Sequence, residues 1–163
     1  MRTVLGIDPG IERLGWGLVH EERRVITYLD SGVQKTSSKD QVSDRLLILY
    51  NFLDELFKSN KPELVGIEKL FFSKNIKTGI VIGEVRGIIL LAAAKHATKI
   101  VEFTPPEIKS LVCGSGSADK KQVARMMELA LQLPKRPMLD DETDALAIAF
   151  AAALQSYPQY GTS

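Results

Sequence analysis

The chain has 163 residues, 45% of them hydrophobic and 25% charged, which is the composition of a globular protein with a sizeable core. A single cysteine, Cys113, excludes an internal disulfide, and no apolar run approaches the length of a membrane span. We therefore expect one domain over residues 1–155, a short tail over 156–163, a cytoplasmic location and no membrane contact. The net charge of +1 neither indicates nor excludes a nucleic-acid partner.

The amino-terminal third predicts an antiparallel meander of three strands. Thr3–Asp8 is apolar, and Leu14–His20 and Arg24–Gln34 follow it with a charged turn between them. Asp8 ends the first apolar run and precedes a Pro-Gly pair, so its carboxylate lies at the end of a buried strand. The alternative interpretation is an ordinary turn aspartate, because aspartate is common in such turns.

Helices and strands alternate in the rest of the chain. Apolar spacing and proline positions predict a helix over Gln41–Asn60, a strand over Glu63–Glu68, a long helix from about Thr78 to Ala97, a strand over Lys99–Phe103, a short helix through Val112, and helices over Lys120–Leu131 and Asp140–Gln155. This order predicts an α/β domain with a mixed five-stranded sheet and helices on both of its faces.

Three further acids lie where a carboxylate is unfavourable for folding and useful for binding a metal. Glu68 ends another apolar strand, and Asp141 and Asp144 are three residues apart, on one face of the last helix. Pairing with Lys69 would explain Glu68, and helix capping would explain Asp141. Asp144 is harder to explain in this way, because it leads into an apolar run and a carboxylate facing the core needs a partner.

Four carboxylates that converge from three elements indicate a site for divalent cations. Magnesium prefers oxygen ligands, and two such ions can clamp the attacking and leaving oxygens of a phosphodiester displacement. Asp8, on a central strand, is the best candidate for the carboxylate that bridges two ions. We therefore predict two magnesium ions per site, with manganese as a substitute, and a nuclease activity.

Several motifs in this order are similar to those of a known family. Gly-Ile-Asp-Pro-Gly at 6–10, Gly-Trp-Gly at 15–17, Ile-Glu at 67–68, Gly-Ser-Ala-Asp-Lys-Lys at 116–121 and Asp-Glu-Thr-Asp-Ala-Leu-Ala at 141–147 together resemble the RuvC family of Holliday-junction resolvases. The resemblance implies a ribonuclease-H-like fold, a homodimer, and paired cuts in four-way junction DNA during recombination and repair. It also implies that the catalytic, metal-binding acids are Asp8, Glu68, Asp141 and Asp144.

The same resemblance assigns roles outside the acids. Phe71 matches an aromatic that stacks on an unpaired base, although core packing is the alternative for it and for its neighbour Phe72. Lys109 and Lys120 match lysines that family members place near the scissile phosphate and the DNA backbone, and Lys109 is predicted to belong to the catalytic set. Lys74 and Lys77 form a local cluster of positive charge, for which a solvated loop is the alternative. The predicted DNA-binding residues are therefore Phe71, Lys74, Lys77, Lys109, Lys120 and Lys121, with the choice between Lys120 and Lys121 left open. The helix over 78–97 is the expected dimer contact, and a branch-migration helicase is the expected partner.

Three other functions compete with this interpretation. A ribonuclease-H-type enzyme would use the same chemistry on RNA–DNA hybrids, but it needs neither the Phe71 segment nor a dimer helix. An actin-like or sugar-kinase-type ATPase also begins with a strand and Gly-Ile-Asp, but it needs two related domains. A junction-binding protein without catalysis would not need all four acids.

Overall fold

The computed structural model describes residues 1–69 and 76–155, and its elements follow the predicted order. The strands are β1 (Arg2–Asp8), β2 (Arg13–Glu22), β3 (Val25–Lys35), β4 (Leu64–Glu68) and β5 (Lys99–Phe103). The helices are α1 (Val42–Asn60), α2 (Ile76–Lys95), α3 (Pro105–Cys113), α4 (Lys120–Leu131) and α5 (Asp140–Gln155). Every predicted element is present, and its ends differ from the predicted ones by two residues or fewer.

The five strands form one mixed sheet in the order β3-β2-β1-β4-β5. Strand β1 is central, antiparallel to β2 and parallel to β4, while β5 pairs in parallel with β4. The β1–β4 register aligns Ile7 with Ile67. The next residue of each strand, Asp8 and Glu68, therefore comes to the same edge of the sheet. The predicted mixed sheet and its amino-terminal meander are confirmed.

Helices cover both faces of this sheet, as predicted. Side chains alternate along a strand, so Val4 packs with the residues of α3, α4 and α5, whereas Leu5 packs on the opposite face with those of α1 and α2. Leu64 and Val65 divide in the same way on β4. The two apolar clusters fix the sheet between two layers of helices.

Helix α5 lies directly on the backbone of the sheet because glycines face it. A Cβ atom added to Gly6 would lie 2.1 Å from the carbonyl oxygen of Ala145, and one added to Gly15 would lie 2.0 Å from that of Asp141. Gly15 is also the strand partner of Asp8. Because these glycines have no side chains, the start of α5, which carries the acids, can pack against the end of β1.

Some predicted features lie outside the described residues. These are the aromatic pair Phe71 and Phe72, Lys74, and the tail over residues 156–163. Within the part of the chain that the structure describes, no helix is long and apolar enough to cross a membrane.

Candidate active site

Three of the four predicted acids line one cavity of about 360 Å³ at the carboxyl ends of β1 and β4. Asp8 and Glu68 come from the strands, and Asp144 comes from α5, just after its first turn. Lys109 on α3 and Lys120 at the start of α4 line the same cavity. The cavity thus combines acidic oxygens with two ammonium groups, which suits a phosphate-bearing substrate held by cations.

Burial and like charges act together on the central acid. Burial raises the pKa of Asp8 to about 7, and Asp144, Asp141 and Glu68 add to the rise while Lys120 opposes it. Burial also raises the pKa of Glu68, where Asp144 adds to the effect and Lys109 and Lys120 oppose it. A site that disfavours the charge of its own carboxylates is one that favours a bound cation.

Asp144 is also a partly buried carboxylate with a raised pKa, but a lysine lies beside it. Burial raises the pKa of Asp144, and Lys120 lowers it without reversing the direction. The Nζ of Lys120 lies 3.6 Å from Oδ2 of Asp144, and the lysine side chain is 75% exposed. This exposed ammonium group neutralises Asp144 only in part.

The lysines that were predicted together separate in the structure. Lys109 and Lys120 line the acidic cavity, whereas Lys121 lies on another surface with Arg125 and Glu128. Consecutive residues of a helix point about 100° apart, and α4 begins at Lys120 after the N-cap Asp119. The geometry therefore favours Lys120 over Lys121 as the residue near the acids.

Asp141 does not line that cavity. It borders a separate groove with Arg13 and Lys77, and its Oδ2 lies 3.0 Å from Nε of Arg13. This oxygen is buried and accepts no hydrogen bond from the described residues, because the arginine N–H does not point at it. Sequence reasoning missed Arg13, since its partner is far away along the chain.

A buried polar network fixes the start of α5 from the other side. Glu142 is 3% exposed, accepts hydrogen bonds at 2.7 Å from the Ser31 hydroxyl and at 3.2 Å from Nη1 of Arg136, and also pairs with Nη2 of Arg136. Burial would raise the pKa of Glu142, but these donors outweigh it and lower the pKa. The network ties α5 to β3, next to the residues that carry the acids.

The donor set suits a hard divalent cation. Every side chain that the acids contribute offers oxygen, and the buried Oδ2 of Asp141 accepts no hydrogen bond from a described residue, which leaves it able to bind a cation. No three acidic, histidine or cysteine side chains within residues 1–69 and 76–155 are grouped closely enough to hold one ion alone. Magnesium commonly binds through one or two carboxylates and keeps waters or phosphate oxygens as its other ligands. The residues therefore fit this ion class.

Comparisons with known proteins give the same family from sequence and from structure. The profile of the family described as crossover junction endodeoxyribonuclease RuvC matches residues 4–152. A RuvC of Roseiflexus sp. (strain RS-1) is 43% identical over 148 residues, which cover 91% of this chain and 88% of that protein. The RuvC of Alkaliphilus metalliredigens (strain QYMF) is 45% identical over 150 residues, 92% of each protein.

A solved structure agrees over nearly the whole chain. T. thermophilus RuvC in complex with Holliday junction substrate matches with a TM-score of 0.90 and 30% sequence identity, over 96% of this chain and 95% of that one. The ribonuclease-H-like fold class expected from the sequence is confirmed by this likeness.

Proposed function

The chain belongs to the RuvC family of crossover junction endodeoxyribonucleases, and from this membership we propose how its residues cut DNA. It is a nuclease that resolves four-way Holliday junctions in recombination and repair. The observation that carries the mechanism is the cavity in which Asp8, Glu68 and Asp144 face Lys109 and Lys120. We assign catalysis to these residues together with Asp141.

The acids hold the metal and the lysines hold the substrate. Asp8 is central, because its pKa responds to all three other acids. Divalent cations bound by these carboxylates would polarise the scissile phosphate and lower the pKa of an attacking water. We propose magnesium as the ion and manganese as its substitute, with two ions per site, because four carboxylates exceed what one magnesium ion commonly binds.

Lys109 and Lys120 position the scissile phosphate. Both side chains line the cavity together with the acids, so a phosphate held there by the cations would also meet the positive charge of the two lysines. Lys77 borders the neighbouring groove and is a candidate contact for the DNA backbone. Phe71 remains a proposed DNA contact by family resemblance, and Lys74 and Lys121 remain proposed contacts from their positive charge.

Cleavage of an end-labelled, mobile synthetic four-way junction tests this function. Linear duplex and an RNA–DNA hybrid serve as substrate controls, each with magnesium, with manganese and with chelator. We expect paired, symmetric, metal-dependent nicks in the junction alone. Cutting of the hybrid would assign the chain to ribonuclease-H-type activity, and binding without any cutting would leave a junction-binding protein.

We also propose that α2 carries a homodimer contact. An apolar stripe with spacings of three and four residues runs along its outer side, comprising Ile76, Ile80, Gly83, Gly87 and Leu90. Ile76 is 74% and Ile80 57% exposed. A Cβ added to Gly83 or Gly87 would meet no described atom within 4 Å. Such a stripe permits close helix approach, and a twofold dimer would present two sites to a symmetric junction.

Ile80→Asp is expected to weaken this dimer by at least about 30-fold in Kd, because it buries a charge at an apolar contact. Sedimentation over a concentration series measures the effect. Leu129→Asp is the control, since Leu129 on α4 is 67% exposed and lies outside the stripe. Equal effects of the two variants, or none from Ile80→Asp, would remove α2 from the dimer contact.

Family membership further supports a branch-migration helicase as a partner and the cytoplasm as the location. It also supports residues 1–155 as one nuclease domain followed by a short tail.

A further inference from the structure

We propose that Arg13 is a built-in counter-ion that holds Asp141 in the ion-free enzyme and competes with the divalent cation for that carboxylate. The inference rests on the proposed metal-binding role of Asp141 and adds a residue that sets how strongly the site binds its ion. Arg13 is a positioning residue here, because it acts through Asp141 rather than on the substrate.

The contact between Arg13 and Asp141 is one that a divalent cation could replace. Nε of Arg13 lies 3.0 Å from Oδ2 of Asp141, close enough for charge attraction, yet this oxygen accepts no hydrogen bond from any described residue. The Asp141 side chain is only 23% exposed, so water cannot fully solvate it. A cation that offered the buried oxygen a direct bond would satisfy it better than the misdirected guanidinium does.

The two ends of the pair differ in freedom. The Arg13 side chain is 52% exposed, so it can leave the carboxylate and enter water without disturbing the core. Asp141 cannot follow it, because its backbone carbonyl packs against Gly15 so closely that no Cβ fits between them. When the ion binds, the arginine is therefore the partner that moves.

The backbone that carries Arg13 is itself fixed. The N–H of Thr36 donates to the carbonyl of Glu12 at 3.0 Å, and the Thr36 hydroxyl donates to the carbonyl of Ile11. Arg45, which is 7% exposed, donates from Nε to that hydroxyl at 2.9 Å. These bonds anchor the turn between β1 and β2, so the fold fixes the backbone from which the Arg13 side chain extends toward Asp141.

Lys120, at the start of α4, provides a contrast, because it is the cation beside the other α5 acid, Asp144. It approaches Asp144 only to 3.6 Å and is 75% exposed, and it lines the cavity where the substrate would lie. Arg13 instead lines the separate groove that Asp141 borders. The two cations thus pair with different α5 acids, and Arg13 makes the closer contact.

Ion titration without DNA tests the proposal independently of cleavage. Manganese is titrated by calorimetry into chelator-stripped wild type, Arg13→Gln and Arg13→Met, and unfolding in chelator checks that each variant is folded. Both variants are expected to bind the ion about 3- to 10-fold more tightly, since a partly exposed ion pair no longer has to be broken. The second variant keeps the aliphatic stem, so a folding defect in one does not decide the outcome.

Lys35→Gln is the matched control. Lys35 is the exposed strand partner of Arg13 and carries the same charge one strand away. Its loss is expected to change manganese affinity less than 2-fold, within the range of a screened surface charge. If Lys35→Gln raises manganese affinity as much as Arg13→Gln does, then the effect comes from net charge alone and the proposal is overturned. In an Asp141→Asn background, Arg13→Gln is expected to have no further effect, and a persistent gain would also overturn it.

The remaining outcomes separate this inference from the proposed function. Manganese binding to wild type that Arg13→Gln and Arg13→Met leave unchanged would overturn the role of Arg13 and leave the metal site intact. No manganese binding by any variant would overturn the proposed metal site, and the role of Arg13 with it.

Discussion

Asp8→Asn is expected to abolish junction cleavage and, in the absence of divalent ions, to stabilise the protein at neutral pH. Without the central carboxylate, bound cations would no longer stabilise the transition state by several kcal/mol. The cleavage rate should therefore fall by at least about 100-fold. Junction binding should persist, because Lys109 and Lys120 still line the cavity.

The effect on stability follows from the pKa of Asp8, which the fold raises from 3.8 to about 7. Between these two pH values the folded protein binds more protons at this site than the unfolded chain does. The free energy of unfolding of the ion-free wild type should therefore fall as pH rises through this window. The titration of Asp8 alone lowers the free energy of unfolding by at most about 4 kcal/mol across this window. Asparagine does not titrate, so Asp8→Asn removes this loss.

Denaturant unfolding in chelator at pH 4 to 8 measures this difference, and repeating it with manganese measures the ion. Wild type should gain stability with manganese, and Asp8→Asn should gain much less. The exposed Asp40 offers a control, because Asp40→Asn removes a carboxylate that does not line the cavity. If the free energy of unfolding depends on pH in Asp8→Asn as it does in wild type, then Asp8 is not the acid whose pKa the fold raises.

Each of the three acids that line the cavity is marked locally in the sequence. Asp8 and Glu68 follow apolar strands, and parallel pairing of those strands is enough to bring both to one edge. Asp144 enters an apolar helix, where an acid needs a reason. These signals need no knowledge of distant contacts.

The parts that sequence could not predict depend on distant partners. Arg13 and Asp141 meet because Gly15 lets α5 approach β2, and nothing near either residue marks the contact. The choice between Lys120 and Lys121 required the start of α4, since a shift of one residue turns a side chain to another surface. Helix α2 is apolar almost all round, so its sequence does not distinguish the face toward the sheet from the exposed one.

Gly15→Ala is expected to reduce both stability and cleavage strongly, because the new Cβ would lie 2.0 Å from the carbonyl oxygen of Asp141 and 3.2 Å from its Cβ. The obstacle is helix backbone, which cannot rotate away as a side chain can. Helix α5 must therefore shift at its first turn, at a cost of roughly 1–3 kcal/mol in unfolding free energy. That shift moves Asp141 and Asp144 away from Asp8, so cleavage should fall by roughly 100-fold or more, as a displacement of about 1 Å suffices for such a loss.

Gly32→Ala separates this displacement from a general cost of filling a strand glycine. Gly32 pairs with Trp16, the residue that follows Gly15, and its added Cβ would lie 2.9 Å from the Trp16 ring rather than from helix backbone. The ring can move, so this variant should lose less stability and keep most of its cleavage activity. Cleavage rates and manganese affinities of both variants, measured at a temperature where each is folded, decide the matter. If Gly15→Ala loses stability but keeps wild-type cleavage and manganese affinity, then close packing of α5 supports the fold without setting the spacing of the acids.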